Sequence, residues 1–185
     1  MRKVGIVVIF MSLFLMSSLV FCQGLGGFRS GSEPNGFRGI KWGTDISTLK
    51  DILKYVRSEE KDIRIYVRNK DELKIGKAQI KKIEYKFWTG FGKYRAEPEI
   101  FYAVYIETEG KENWKNFKEA AFDLFGRGRD LGNESYGWRG EKTSIVMLYS
   151  PPRGMFLMDY KEIADIRSSI KKQTEKEKTL KEKGF

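Results

Sequence analysis

Runs in which apolar and polar residues alternate mark the strands of this chain. In 62–68 every second residue is Ile or Val, and the residues between them are Arg or Tyr. Such alternation predicts a strand with one buried face. The same reasoning predicts strands over 81–88, 101–108, 143–149 and 155–160, with a short strand over 136–139. The sequence Ser-Pro-Pro-Arg-Gly at 150–154 predicts a turn, because proline does not serve a central strand.

Apolar residues at helical spacing predict three helices. The first covers 46–56, and Thr44 or Asp45 supplies its N-cap. The second covers 111–125, and the third begins near residue 160. Their apolar faces consist of Ile46, Leu49, Ile52, Leu53 and Val56; of Trp114, Phe117, Ala121, Leu124 and Phe125; and of Ile163, Ile166 and Ile170.

The order of these elements predicts an α+β fold. Helices arrive singly between runs of antiparallel strands, so we expect tandem helix-then-antiparallel-strands units forming a curved sheet covered by helices, plus a C-terminal helix. One domain is expected over 37–170, with candidate halves at 37–108 and 111–160 and a loop at 127–134. Residues 171–185 are predicted to be a charged helical or frayed tail.

The N-terminal segment has the charge-then-apolar pattern of an export signal. Arg2 and Lys3 precede an uncharged apolar run, so residues 1–22 are predicted to be a signal peptide and the protein to be periplasmic or secreted. Three fates compete: cleavage by signal peptidase, lipidation of Cys22 as a membrane anchor, or retention of the uncleaved segment. The Gly/Ser-rich residues 23–36 are predicted to be a flexible leader.

The composition excludes the commonest catalytic and metal sites. The chain has no His, and Cys22 is its only cysteine, which excludes Ser–His–Asp and Cys–His catalysis and the usual zinc and copper sites. No cofactor is expected, and no internal disulfide can form. The 35 Lys and Arg residues against 25 Asp and Glu give a formal net charge of +10. This charge suits an anionic partner, or simply a soluble surface.

Aromatic residues interleaved with arginine are the candidate ligand-binding residues. Trp88, Tyr94 and Arg95 form one cluster, and Trp138 and Arg139 belong to a second. Such residues stack on sugars, peptides or bases. The alternative is that these rings pack on neighbouring loops at the ends of the sheet.

Trp42 and two carboxylate pairs are other candidate residues, for which we favour a structural interpretation. Trp42 is expected to anchor the first segment of the domain in the core, because tryptophan is usually largely buried. The pairs Glu107/Glu109 and Asp159/Glu162 are interpreted as surface carboxylates. No catalytic residue is therefore predicted.

The sequence FRGIKWGT at 37–44 resembles the opening of a group of exported bacterial proteins of unassigned function. In that group strands end in aromatic-plus-Gly turns, as the residues FWTG at 87–90 do here. The resemblance implies an exported domain and brings no active site with it. The repeated helix-then-strands order is also similar to β-lactamase-inhibitor-like domains, which implies a binding module by analogy of fold.

Together these features predict an exported, non-catalytic binding or envelope-associated module. Its expected partner is a protein, a peptide or an anionic envelope component, with no nucleic acid, and with membrane contact only through the signal or a lipid anchor. The alternatives are a hydrolase of envelope polysaccharide that works without His or Cys and a structural envelope lipoprotein. The binding hypothesis predicts an exposed apolar sheet face bordered by Arg and Trp. A buried carboxylate pair in a deep cleft would favour the hydrolase.

Overall fold

Antiparallel strands and two α-helices make up the part of the chain that the structure, a computed structural model, describes: residues 26–90 and 98–182. The helices are α1 (Lys111–Phe125) and α2 (Lys161–Glu182), and a 3-10 turn covers Ile46–Leu49. The strands are β1 (Gly36–Phe37), β2 (Ile40–Lys41), β3 (Leu53–Glu60), β4 (Ile63–Arg68), β5 (Lys74–Ile75), β6 (Ala78–Trp88), β7 (Ile100–Glu109), β8 (Arg129–Gly132), β9 (Ser135–Arg139), β10 (Thr143–Ser150) and β11 (Arg153–Tyr160).

One large antiparallel sheet carries most of these strands. Its order is β3-β4-β6-β7-β11-β10-β9-β8, and β5 pairs with β6 outside that path. Strands β3 to β7 form a first half and β8 to β11 a second half, and the halves meet where β7 pairs with β11. The predicted α+β class with a large antiparallel sheet and a C-terminal helix is therefore confirmed.

Helix α1 covers one face of the sheet, which we call the core face. Its buried residues recur every three or four positions, so a single stripe of the helix faces the strands. Gly110 and Gly126 flank the helix with φ values of 83° and 84°, a backbone conformation that favours glycine. The predicted second helix thus has the expected bounds. The buried stripe consists of Trp114, Phe117, Ala121 and Phe125.

Aromatic rings fill the space between α1 and the core face. The Phe117 and Phe156 rings lie 5.3 Å apart, and the Phe122 and Trp138 rings lie 5.9 Å apart. The indole of Trp138 is fully buried, and its Nε1 donates to the Gly126 carbonyl oxygen at 2.9 Å. Large buried rings of this kind supply much of the apolar burial that stabilises a core.

The predicted helix over 46–56 is wrong. Asp45 does act as an N-cap, since its carboxylate accepts the Ser47 amide at 2.7 Å, but only one 3-10 turn follows. The chain then enters β3 at Leu53, which pairs with Arg68 of β4, because cross-strand pairing overrides local helical spacing. With a single turn in place of the first helix, the predicted tandem arrangement is not confirmed.

The predicted loop at 127–134 is also wrong, because it contains β8. Asn133 and Glu134 both have positive φ, 51° and 54°, which is the geometry of a tight hairpin turn matched to the twist of antiparallel strands. That turn folds β8 back onto β9, with Gly132 opposite Ser135. All of β8 is exposed at the edge of the sheet.

The described part of the predicted leader lies against the second half of the sheet. The Arg139 amide donates to the Gly26 carbonyl oxygen at 2.7 Å. The Glu33 carboxylate accepts the amides of Lys142 and Thr143 at 2.6 and 2.8 Å. Burial opposes ionisation of Glu33, but these backbone hydrogen bonds outweigh it and lower its pKa. Residues 26–36 are thus held by specific contacts.

Helix α2 lies on the sheet face opposite α1. Ile163, which is 4% exposed, packs there in a second, smaller cluster with Ile63, Ile65, Trp88 and Tyr102. The helix then continues through the charged residues predicted as a tail. Only its first turns cover the sheet, so much of this face stays uncovered.

Candidate functional site

The sheet face that α2 only partly covers is the candidate functional surface, and we call it the open face. Cross-strand pairing aligns Glu84, Tyr105, Leu157 and Val146 in one row from β6 to β10. The row crosses the junction between the two halves of the sheet. The side chains differ between the halves: outside the apolar cluster under α2, the first half of the open face is charged, whereas the second half is mostly apolar.

Five partly exposed side chains form an apolar strip on the open face: four lie on the second half, and Tyr105 lies on the adjoining β7 of the first half. Leu157 contacts the cluster under α2, whereas the other four belong to neither packed cluster. Val146 pairs with Leu157, and Leu148 pairs with Met155. A contiguous apolar surface without internal packing is typical of a contact site. The apolar strip consists of Tyr105, Val146, Leu148, Met155 and Leu157.

Three arginines border the apolar strip. Arg129 of β8 and Arg139 of β9 point to the open face on one side, because Arg129 pairs with Gly137 and Arg139 with Ser144. Arg153 lies on the same face at one end of the strip, two residues from Met155 on β11. Among the described residues, no carboxylate forms an ion pair with any of the three.

The first half of the open face carries a ladder of paired charges. Arg57 contacts Glu84 at 2.8 Å, and Lys82 contacts both Glu84 at 3.3 Å and Glu107 at 3.7 Å. Lys81 completes the ladder at 3.3 Å from Glu107. Glu84 and Glu107 are only 6% and 4% exposed. The prediction of Glu107 as a surface carboxylate is therefore wrong; the cationic neighbours compensate its burial.

The two buried glutamates of the ladder are held in the ionised form. Burial alone would raise the pKa of each, but the hydrogen bond from Arg57 and the charge of Lys82 lower that of Glu84. The pKa of Glu107 is lowered in the same way, by Lys81, Lys82 and the Tyr105 hydroxyl. Each carboxylate is thus matched to cations within the fold, and the ladder has no free group to offer a ligand.

A groove of about 790 Å³ separates α2 from the open face, and Asp159 lies on its floor. Within the described residues the Asp159 carboxyl has no hydrogen-bond or ion-pair partner, and burial raises its pKa to about 7 against the charges of Lys86 and Arg167. Glu162 lies outside the groove and accepts a hydrogen bond from the Tyr160 hydroxyl. The prediction of Asp159 as a surface carboxylate is therefore wrong, because Asp159 lines a groove that the sequence pattern does not predict.

Arg167 of α2 closes one end of the groove. Its Nε donates to Asp62 at 2.9 Å, its Nη2 donates to Glu60 at 3.1 Å, and its guanidinium lies over the Tyr102 ring. Lys86 pairs with Glu59 at 2.6 Å. The other carboxylates around the groove are therefore engaged with cations, and Asp159 stands alone among them.

The structure separates the two predicted aromatic positions that it describes. Trp88 lies in the α2 cluster and donates to Asp62 at 3.2 Å. Trp138 lies in the core on the other face. Their strands, β6 and β9, are four positions apart in the sheet, about 19 Å. These two tryptophans do not form one site, but Arg139 does border the apolar strip.

Several predictions fall outside the described residues. Tyr94 and Arg95 lie there, as do Cys22 and the whole predicted signal peptide 1–22. Trp42 is described: it packs 4.9 Å from the Phe101 ring and donates to the Thr143 hydroxyl at 2.9 Å, in keeping with a structural role.

Alternation in a strand predicts one buried face and one polar face, so the predicted strands did not include an apolar strip on their second face. In 143–149 and 155–160 both alternating sets are apolar: Ile145 and Met147 on one side, Val146 and Leu148 on the other. Such two-sided strands are usual where both faces are covered. A single helix cannot cover both faces, so this doubled pattern was the available signal.

The described residues contain no group of three or more His, Cys, Asp or Glu residues placed to hold a metal ion. Across 26–90 and 98–182, no helix combines the length and apolarity needed to cross a membrane. No protein-family profile, curated protein sequence or solved structure matches the chain.

Proposed function

We propose that this chain is an exported, non-catalytic binding module whose open face receives a partner. The observation that carries the proposal is the apolar strip, four of whose five side chains belong to neither packed cluster. Soluble monomers keep contiguous apolar surface small, and larger patches are typical of interaction sites. The arginines beside the strip fit the expected partner classes: a protein, a peptide or an anionic envelope component.

The hydrolase alternative has weaker support. Glycoside hydrolysis usually needs two carboxyl groups facing one bond. In the groove only Asp159 is without a cationic partner, since Glu60 and Asp62 bind Arg167 and Glu59 binds Lys86. A lone carboxyl with a raised pKa supplies one half of such a pair.

Export and membrane attachment belong to the same proposal. They rest on the charge-then-apolar pattern of residues 1–22 and on Cys22. Intact-mass measurement of the protein purified from its native envelope distinguishes a cleaved chain, an acylated Cys22 and an uncut Met1. A full-length, unmodified mass in a cytoplasmic fraction would contradict export.

The proposal also includes a common plan for the two halves, as the sequence pattern suggested. The strand order supports it, because β3-β4-β6-β7 and β11-β10-β9-β8 are two four-strand series that approach the centre of the sheet from opposite edges. In the first half one 3-10 turn occupies the place of α1. If the two halves share a plan, their parts of the open face have similar geometry, and only the second half is mostly apolar.

The experiment that tests the binding function is affinity capture from envelope extract with matched leucine variants. Leu148→Asp places a charge in the apolar strip, whereas Leu124→Asp changes a 59% exposed leucine of α1 on the other side of the sheet. The wild type and Leu124→Asp should enrich the same partner, and Leu148→Asp should lose it. Equal enrichment by all three would overturn the proposal, provided circular dichroism confirms that both variants fold.

A further inference from the structure

The charges around the apolar strip identify what kind of partner fits it, an inference that rests on the binding function proposed above. Arg129, Arg139 and Arg153 have no carboxylate partner among the described residues, while the cations of the neighbouring ladder are paired. The carboxylates of Glu107 and Glu109, which lie opposite Met155 and Arg153, are paired with Lys81 and Lys82. The three arginines therefore leave unpaired positive charge at the margin of the strip.

A second copy of this chain does not match that margin. A two-fold contact through the strip would bring the same surface against itself. Such a contact would bury two sets of these arginines, while the glutamates of the ladder are already paired with their own cations, and burying unpaired charges is unfavourable. The chain's own N-terminal segment does not match either, because Arg2 and Lys3 are its only charged residues before residue 26.

A flat anionic membrane does not match the shape of the open face. Helix α2 stands beside the strip, with Ile163 seated on the sheet and Leu157 at its foot. A helix with its side chains is about 10 Å thick, so the strip lies recessed next to it. A planar surface would touch α2 first, whereas a single chain segment can lie alongside the helix.

The geometry points to an acidic amphipathic helix of a partner protein, seated on the apolar strip beside α2. Its apolar side would contact Val146, Leu148 and Met155, as Ile163 of α2 contacts the neighbouring part of the sheet. Its Asp and Glu residues would pair with Arg139 and Arg153. Helix-in-groove recognition through a row of apolar anchors is a common mode of peptide binding, and the charges at the margin set its specificity.

Two synthetic peptides of about four turns test this assignment on the full chain as the cell processes it. Both carry Leu on one side of the helix; the other side carries Glu in one peptide and Lys in its counterpart. Affinity is measured by fluorescence anisotropy, and the binding position by methyl shifts of Val146, Leu148, Met155 and Leu157. We expect the Glu peptide to bind at the strip at least about tenfold more tightly than the Lys peptide, with the difference shrinking at high salt.

The double variant Arg139→Glu/Arg153→Glu should reverse this preference, so that the Lys peptide becomes the tighter ligand. Lys115→Glu, a single charge reversal on an exposed residue of α1, should leave it unchanged. If the double variant does not fold, the single variants Arg139→Gln and Arg153→Gln should each narrow the difference between the peptides.

Four results would overturn the assignment: equal affinity for both peptides, no binding of either, methyl shifts confined to another surface, or binding to anionic lipid vesicles in place of the Glu peptide. Concentration-dependent dimerisation that shifts the strip methyls would assign the surface to a second copy instead. None of these decides the broader binding function, which depends on the loss of the captured partner in Leu148→Asp.

Discussion

The two halves of the open face have the same strand geometry but carry different kinds of side chain. Both consist of antiparallel strands whose other side packs on the core. In the first half, buried Glu84 and Glu107 are matched to Arg57, Lys81 and Lys82. In the second half, aliphatic side chains occupy the equivalent rows, and the arginines beside them have no carboxylate partner in the described residues.

This difference separates structural from functional polar residues. A charge that the fold itself neutralises contributes to stability and specificity of folding, and a ligand gains little from it. An uncovered apolar surface has the opposite properties, because only a partner removes it from water, and unpaired arginines beside it are free to pair with the acids of that partner. The second half therefore carries the binding function that we propose.

The largest expected difference in stability is between substitutions of two neighbouring residues of β10 that face opposite sides of the sheet. Met147 is fully buried on the core face, and its neighbour Leu148 is partly exposed in the strip. Met147→Ala should cost about 2–5 kcal/mol of unfolding free energy, whereas Leu148→Ala should cost about 1 kcal/mol or less because fewer contacts are lost. Urea denaturation measures both. Equal costs would mean that the strip is packed after all.

A second effect should appear at Asp159, where burial raises the pKa to about 7. Between its usual pKa and about 7 the folded state holds more protons than the unfolded state, so stability falls as the pH rises through that window. Asp159→Asn should remove this loss, so its free energy of unfolding at pH 8 should exceed that of the wild type by up to about 4 kcal/mol. Denaturation curves from pH 4 to pH 8 check it, and parallel pH profiles would contradict it.

The ladder should show the reverse dependence on pH. The pKa of Glu84 is lowered in the fold, so its stabilisation is present above the unfolded pKa and is lost as the pH falls through the lower folded value. Glu84→Gln should cost about 1–2 kcal/mol at pH 7, with the difference from the wild type vanishing in acid. The same variant should leave partner capture intact; a loss of capture would extend the binding surface into the first half.

The smallest effect on stability should come from the unmatched arginines. Arg153→Gln removes no ion pair to a described residue and places no second negative charge opposite Glu109, its cross-strand partner. The free energy of unfolding should therefore change by about 0.5 kcal/mol or less, while partner capture weakens. Thermal unfolding beside capture measures both. A clear destabilisation would place Arg153 with the structural charges instead.

The helices and strands could be predicted from the sequence better than the surface that they form together. Strong periodicity located α1 and the long strands, because one buried face leaves a regular trace. It failed at 46–56, where helical spacing coincides with a strand that tertiary pairing selects, and at β8, which a two-residue turn creates. Trp88 and Trp138 belong to two clusters in the sequence, and only the assembled sheet shows that they lie on opposite faces.

The strip itself required strand order and register. Val146 and Leu157 come from the consecutive strands β10 and β11, but Tyr105 belongs to β7, and only the pairing of β7 with β11 brings Tyr105 beside them. The lack of an ion pair between Arg139 and the described carboxylates is likewise a property of the assembled sheet, in which the nearby Glu33 carboxylate accepts backbone amides instead. Composition indicated a basic protein, but it did not indicate where its unmatched charges lie.

Photo-crosslinking in the native host tests the central claim most directly. A photoreactive residue in place of Leu148 reports contacts at the strip, and the same residue in place of Lys54 reports on the first half of the open face. We predict a crosslinked partner from position 148 and none from position 54. Crosslinks from both positions alike, or from position 54 alone, would contradict the assignment of binding to the apolar half of the sheet.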